Sequence, residues 1–264
     1  MATHTRIMTI SQWSRGAPWR LELPHTLPEH ALIWITRGQA RATIDGLRRG
    51  VGVHNVLAIP AGTLFSLDAG QQCFGLVCTI EANGPVLMPD SPQHLRIREV
   101  HTQNELTALL DAMQREANQT RPFNDEALNA HAALMTVWLR RAMIDHELPA
   151  SPSAAERLVM AYCSMVAQDG HSGKMMAEYA RDLGVTPTHL TRSCKHCAGI
   201  TAADLLTQYS VYLARVQLAD GTDPIRLIAS QLGFASAAYF SRFMLHHTGH
   251  SPSDLRKMAL KSKG

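Results

Sequence analysis

The first 150 residues contain no lysine; all five (Lys174, Lys195, Lys257, Lys261 and Lys263) lie beyond them. The chain also lacks any stretch near ~20 uninterrupted apolar residues, which excludes a membrane-spanning helix. Residues 1–16 have no apolar run behind a basic cluster, so no secretory signal is expected. Cysteine is sparse. Cys73, Cys78, Cys163, Cys194 and Cys197 are odd in number and unevenly spaced, which argues against a disulfide framework and for reduced thiols. Charged residues are only 18% against 45% hydrophobic, a balance that buries a core and does not fit a disordered chain. The length, 264 residues, suits two domains. Together these features predict a cytoplasmic protein with no membrane association. The uneven lysine distribution makes the halves electrically different. Residues 1–150 hold 13 arginines against 14 acidic residues, whereas residues 151–264 hold 12 basic against 8 acidic. A basic C-terminal part points, modestly, to a polyanionic partner.

The first hundred residues read as short strands separated by turns. Trp19–Leu23, Ala31–Thr36, Ala40–Ile44, Val56–Ile59 and Gly75–Ile80 are apolar or β-branched. Turn signals at Gly38, Asp45-Gly46, Pro60-Ala61-Gly62 and Asp68-Ala69-Gly70 separate them, a pattern expected of an antiparallel barrel or sandwich. Helical periodicity follows over Asn104–Gln119 and Asn124–Glu147, the second expected to be capped by Asn124. The apolar side of the second helix (Leu128, Met135, Trp138, Leu139) suits either packing onto the barrel or pairing two subunits, and a homodimer is expected. Leu148–Ser153 is linker-like, which sets domains at 1–148 and 149–264.

The second part is helical throughout, with sharp punctuation. Lys174–Leu183 ends at Gly184, and Thr186-Pro187 opens a helix that stops at Gly199. The layout recurs: a helix ending at Gly233, a cap at Ser236, and a second helix stopping at Gly249. Ala180 precedes Gly184 by four residues and Ala229 precedes Gly233 by four, so the turns repeat as well as the cores. Helix, glycine turn and capped helix is the helix-turn-helix layout, placed near 174–198 and 224–248, and an internal duplication explains the pair. Thr201–Asp220 lies between them. As one helix it spans ~30 Å, close to the ~34 Å between successive major-groove faces on one side of B-DNA.

IRLIASQLGFASAAYFSRFMLHHTGHSPSDLRK resembles the signature of AraC/XylS-type transcription regulators, and GVTPTHLTRSCKHCAGITAADLL resembles the first unit of the same domain. The N-terminal part is similar to the cupin-like effector and dimerisation domain of that family. The resemblance implies a two-domain α+β protein: an N-terminal cupin-like β-barrel with two following helices, then an all-α domain with two helix-turn-helix units. It implies sequence-specific binding to duplex DNA, a small organic effector, and RNA polymerase as a partner. Carried over to this sequence, it exposes Thr188, Thr191 and Arg192 to base edges and sets Lys195 nearer phosphate. In the second unit the matching positions are Ala237, Ala238, Ser241 and Arg242, with Ser236 as a cap able to receive a phosphate. Ala237 stands where a polar residue is common, Leu245 where a basic one is usual, and Thr248 where an aromatic is usual. The second unit is therefore expected to hold backbone more than it reads sequence.

HTLPEHALIWITRGQARATIDG and GVHNVLAIPAGTLF resemble the two cupin motifs, but only His25 survives of the metal ligands; Leu27, Leu32 and Phe65 fall at the other positions. One ligand does not hold a transition metal, so neither a metal nor any other cofactor is expected. His25, Trp34, Arg41 and Phe65 are the expected lining of an effector pocket. Cys194-x-x-Cys197 with His189, His196 and Cys163 is a possible zinc or thiol site, set against a buried free Cys194 at the back of the reading helix. No Gly-x-Ser-x-Gly nucleophile elbow occurs, and no enzyme is expected. Two rival readings stay open: a regulator acting only through protein contacts, and a cupin enzyme with an accessory helical domain.

Overall fold

The computed structural model describes residues 5–146, 151–169 and 173–263. Their contacts group into two compact units, one running to Pro152 and one from Ser153; Leu23–His25 and Asp45–Leu47 are grouped with the second. The boundary expected at 148/149 lies outside the described residues.

The first unit is built from β1 (Arg6–Thr9), α1 (Ile10–Trp13), α2 (Trp19–Glu22), β2 (Glu29–Arg37), β3 (Gln39–Ile44), β4 (Leu47–Gly52), β5 (Asn55–Ile59), β6 (Phe65–Asp68), β7 (Phe74–Glu81), β8 (Gln93–Arg96), α3 (Val100–Ala117) and α4 (Asn124–Ile144). The strands form two sheets rather than a closed barrel, ordered β1-β7-β2-β5-β8 and β4-β3-β6. β2 runs antiparallel to both its neighbours, with Leu32 opposite Ala58 on β5 and Cys78 on β7. Alternation along β2 then sorts its side chains onto two faces. Ile33 and Ile35 join Leu57, Ile59 and Val77 against Ala42, Ile44, Phe65 and Leu67 of the smaller sheet. Leu32 and Trp34 join Val56, Ala58, Cys78 and Ile80 on the other face, beneath the two long helices.

That second face settles where α4 directs its apolar side. Leu128, Met135, Trp138 and Leu139 pack with Leu106, Leu110 and Met113 of α3 onto the sheet, and Trp138 Nε1 donates to the Thr102 carbonyl at 3.1 Å. Of the two roles this stripe suited, packing onto its own domain is the one observed.

Local expectations also change. Trp19–Leu23, read as a strand, is helical over Trp19–Glu22, because Pro18 presets a helical φ and its carbonyl accepts from both Leu21 and Glu22 amides. Asn124 does not cap α4. Phe123 holds that position at φ 63°, while Asn124 Nδ2 donates to the carbonyls of Glu116 and Gln119 and ties α4 to the end of α3. The four-residue strands β1, β6 and β8 had no separate sequence signal.

The second unit is all helix: α5 (Ala154–Asp169), α6 (Met176–Asp182), α7 (Pro187–Cys197), α8 (Ala202–Asp220), α9 (Ile225–Gln231), α10 (Ala237–Thr248) and α11 (Pro252–Lys263). Tyr162 of α5 is fully buried, meets Tyr179 of α6 edge-on at 5.6 Å, and donates its hydroxyl to the Ala202 carbonyl at 2.7 Å. Ala214, Leu218, Ile228, Phe240, Met244 and Leu255 form the other core of this unit. None of the described helices is long and apolar enough to cross a membrane.

Candidate nucleic-acid interface

The two helix pairs, α6–α7 and α9–α10, repeat down to single hydrogen bonds. In the first turn the Val185 amide donates to the Ala180 carbonyl and Gly184 to Arg181; in the second, Phe234 donates to Ala229 and Gly233 to Ser230. Gly184 and Gly233 take φ of +69° and +75°, a conformation that side chains disfavour. A Cβ on Gly184 meets nothing within 4 Å, so the backbone angle, not crowding, demands glycine there. Ala180 and Ala229 are buried, which lets the paired helices approach closely. Each second helix opens on a hydroxyl cap: Thr186 Oγ1 accepts from the His189 amide at 3.2 Å, and Ser236 Oγ from Tyr239 at 3.1 Å.

Burial then divides each second helix in the same way. Leu190 and Cys194 of α7 are fully buried, as are Phe240 and Met244 of α10. Cys194 therefore sits at the back of its helix, and burial pushes its thiol up to about 12. Cys197 is half-buried and all five cysteines are free. No cluster of three metal-ligating side chains occurs among the described residues.

The opposite faces are open. Thr188, Arg192 and Lys195 are exposed on α7, with Thr191 half-buried beside them. On α10 the cap Ser236, Ala238 and Arg242 are exposed, with Ala237 and Ser241 half-buried. Ser241 Oγ already donates to the Ala237 carbonyl at 2.9 Å, which leaves it only as an acceptor. Among the described residues, Arg192, Lys195 and Arg242 hold no salt bridge, whereas Arg181 on α6 lies between Glu178 and Asp182. Three exposed cations on α7 and α10 are thus without an acidic partner among the described residues.

The faces differ in charge. α7 carries Arg192 and Lys195; α10 carries Arg242 and, where Lys195 has its counterpart, Leu245, which is 53% exposed. Tyr239, equally exposed in the first turn of α10, went unnoticed in the sequence; its offset of 50 from His189 is the signal that finds it. Burial and the neighbouring His246 hold the His247 imidazole below its ordinary value, so it supplies no fixed cation. α10 presents one arginine on a largely apolar face.

Residues 179–258 match the family model described as a helix-turn-helix domain. They form a helix-turn-helix domain. No curated protein matches the chain. Similar solved structures include unsaturated fatty acid-bound wild-type ToxT from Vibrio cholerae, at 14% identity over 96% of this chain and 94% of that one, with a TM-score of 0.43. The C-terminal domain of AraT, a response regulator from Geobacillus stearothermophilus, is 27% identical over 40% of this chain and 86% of that one, with a TM-score of 0.36. A DNA-binding transcriptional dual regulator from Escherichia coli K-12 is 17% identical over 44% and 99%, with a TM-score of 0.35.

The residues expected to line one effector pocket are not brought together. Trp34 lies on the helix-covered face of the larger sheet, stacked on His54 at 5.6 Å. Phe65, on β6 of the smaller sheet, packs against the opposite face of the larger one and stacks on Trp13 at 5.9 Å. Arg41 is exposed, 3.6 Å from Asp68. His25 is grouped with the second unit, its Nδ1 donating to the Leu23 carbonyl at 2.8 Å and its ring stacked on Tyr212 at 4.6 Å.

Proposed function

We propose that the chain is a transcription regulator of the AraC/XylS type that binds duplex DNA through α7 and α10. The observation that carries this reading is the pair of capped helices with equivalent exposed arginines, Arg192 and Arg242, neither of them spent on an ion pair. Arg192 donates to the edge of a guanine in the major groove, with Thr188 and Thr191 beside it, and Lys195 holds a phosphate. α10 contributes Arg242, the Ser236 cap toward a phosphate, and apolar contacts from Ala238, of the kind that sense a thymine methyl group. The first unit binds a small organic effector that favours one functional state of the regulator; RNA polymerase is its partner at the promoter. No reaction is assigned to the chain.

Selection of genomic DNA fragments by the purified full chain tests this reading. It predicts enrichment of a few fragments sharing one motif, retained against excess competitor DNA. Uniform recovery of all fragments, or of none, would contradict it and favour a role through protein contacts.

A further inference from the structure

The first unit contains a cavity of about 720 Å³ between the α1–α2 segment and the β6–β7 edge. That size lies within the range of small-molecule sites. Its floor is apolar: Ile10, Leu21, Leu67 and Cys73, each less than a tenth exposed. Gly75 belongs to the same wall, and a side chain there would collide with the Trp34 carbonyl and with Ile10 Cδ1. Ser11 and the Gln71 carboxamide stand on the exposed rim, and three further hydroxyls of the lining have their protons already committed. Thr9 Oγ1 donates to Gln12 Oε1 at 3.1 Å, Ser14 Oγ to the Ser11 carbonyl at 2.9 Å, and Thr36 Oγ1 to the Phe74 carbonyl at 3.2 Å. What these groups keep for a guest is lone pairs. Among the described residues, the charged group of the lining is a carboxylate, Glu22, and no lysine, arginine or histidine lines the cavity.

We propose that this cavity is a ligand site for a small, largely apolar molecule that donates a hydrogen bond and bears no negative charge. The apolar floor takes the body of the molecule, and the hydroxyl oxygens accept from its N–H or O–H. A carboxylate or sulfonate would face acceptors and Glu22 without a counter-charge, and an unpaired charge is costly to desolvate. This deepens the effector reading, on which it rests, by moving the site away from Trp34 and Phe65 and by setting the charge of what binds.

Two dyes with one skeleton decide it, used with the full chain in the absence of DNA: N-phenyl-1-naphthylamine, neutral with an N–H, and 1-anilinonaphthalene-8-sulfonate, its anionic relative. The neutral dye should bind with one-to-one stoichiometry and about tenfold or more tighter than the sulfonate, a difference of roughly 1.4 kcal/mol. Ser11→Trp and Ala69→Phe, both on the less buried rim, should each abolish that binding by filling the space. In the unaltered chain the bound neutral dye should slow alkylation of Cys73 and leave Cys197 unaffected. Equal or tighter sulfonate binding, neutral-dye binding that survives both substitutions, or unprotected Cys73 would overturn the proposal. DNA titrations of the same samples keep the two readings apart. Dye binding without DNA binding refutes the regulator and leaves the cavity assigned, whereas DNA binding without dye binding refutes the cavity alone.

Discussion

At the residue scale, the assignment of Arg192 and Lys195 separates two kinds of contact. Arg192→Ala should relax preference at about one base pair, losing about 1–3 kcal/mol of discrimination. Lys195→Ala should weaken all sequences alike and reduce the salt slope by about one. Binding titrations on a panel of single-base variants at several salt concentrations distinguish them, and an Arg192→Ala chain with unchanged preference would remove the base-reading role. His25 has a different consequence. Burial pushes its imidazole down to about 4, against the upward pull of its bond to the Leu23 carbonyl. Between pH 4 and 6.5 the unfolded chain protonates this histidine and the folded chain does not, so stability falls as pH drops through that window. The loss reaches at most about 3 kcal/mol at the lower end. His94 is also held below its ordinary value, first by burial, so its contribution has the same sign. The informative quantity is thus the difference between the unaltered chain and His25→Phe, which keeps a ring for the Tyr212 stack. Urea denaturation at several pH values should show a shallower acid decline for the variant; identical declines would mean that His25 is not held neutral.

At the element scale, the helix-turn-helix repeat was legible because its signals are local. Cap, proline and glycine fix where a helix starts and stops within a few residues, and the spacing of Ala180 to Gly184 recurs at Ala229 to Gly233. The direction of an apolar stripe is not local. Nothing near Trp138 in the chain says whether it meets a partner subunit or Leu32 and Trp34 on its own sheet, and the structure places it on the sheet. The expected pocket failed for a similar reason: Trp34 and Phe65 are both apolar and buried, but the pleat and the sheet pairing put them on opposite sides. Trp138→Ala should accordingly cost about 3–5 kcal/mol of stability, read by urea denaturation, with no change in sedimentation. A changed oligomeric state at retained stability would restore α4 as a pairing surface. For α10, the exposed Leu245 in place of a lysine predicts that Leu245→Lys tightens binding to all DNA and raises the salt slope by about one. A variant that leaves the slope unchanged would place that turn of α10 away from phosphate.

At the scale of the whole molecule, sequence reading is proposed for the basic second unit and small-molecule binding for the first unit, which has no lysine among its residues up to Pro152. The second unit carries both proposed reading helices in one chain, joined through α8, whose 19 residues span about 28 Å. That length approaches the ~34 Å repeat of the major groove, so one chain should occupy two successive grooves on one face of the duplex. Methylation protection of guanine N7 on a selected fragment, at a stoichiometry of one chain per duplex, tests this most directly. Two protected patches about ten base pairs apart are expected, one of them lost in Arg192→Ala and the other in Arg242→Ala. A single patch, or two patches that appear only with a second chain bound, would contradict it.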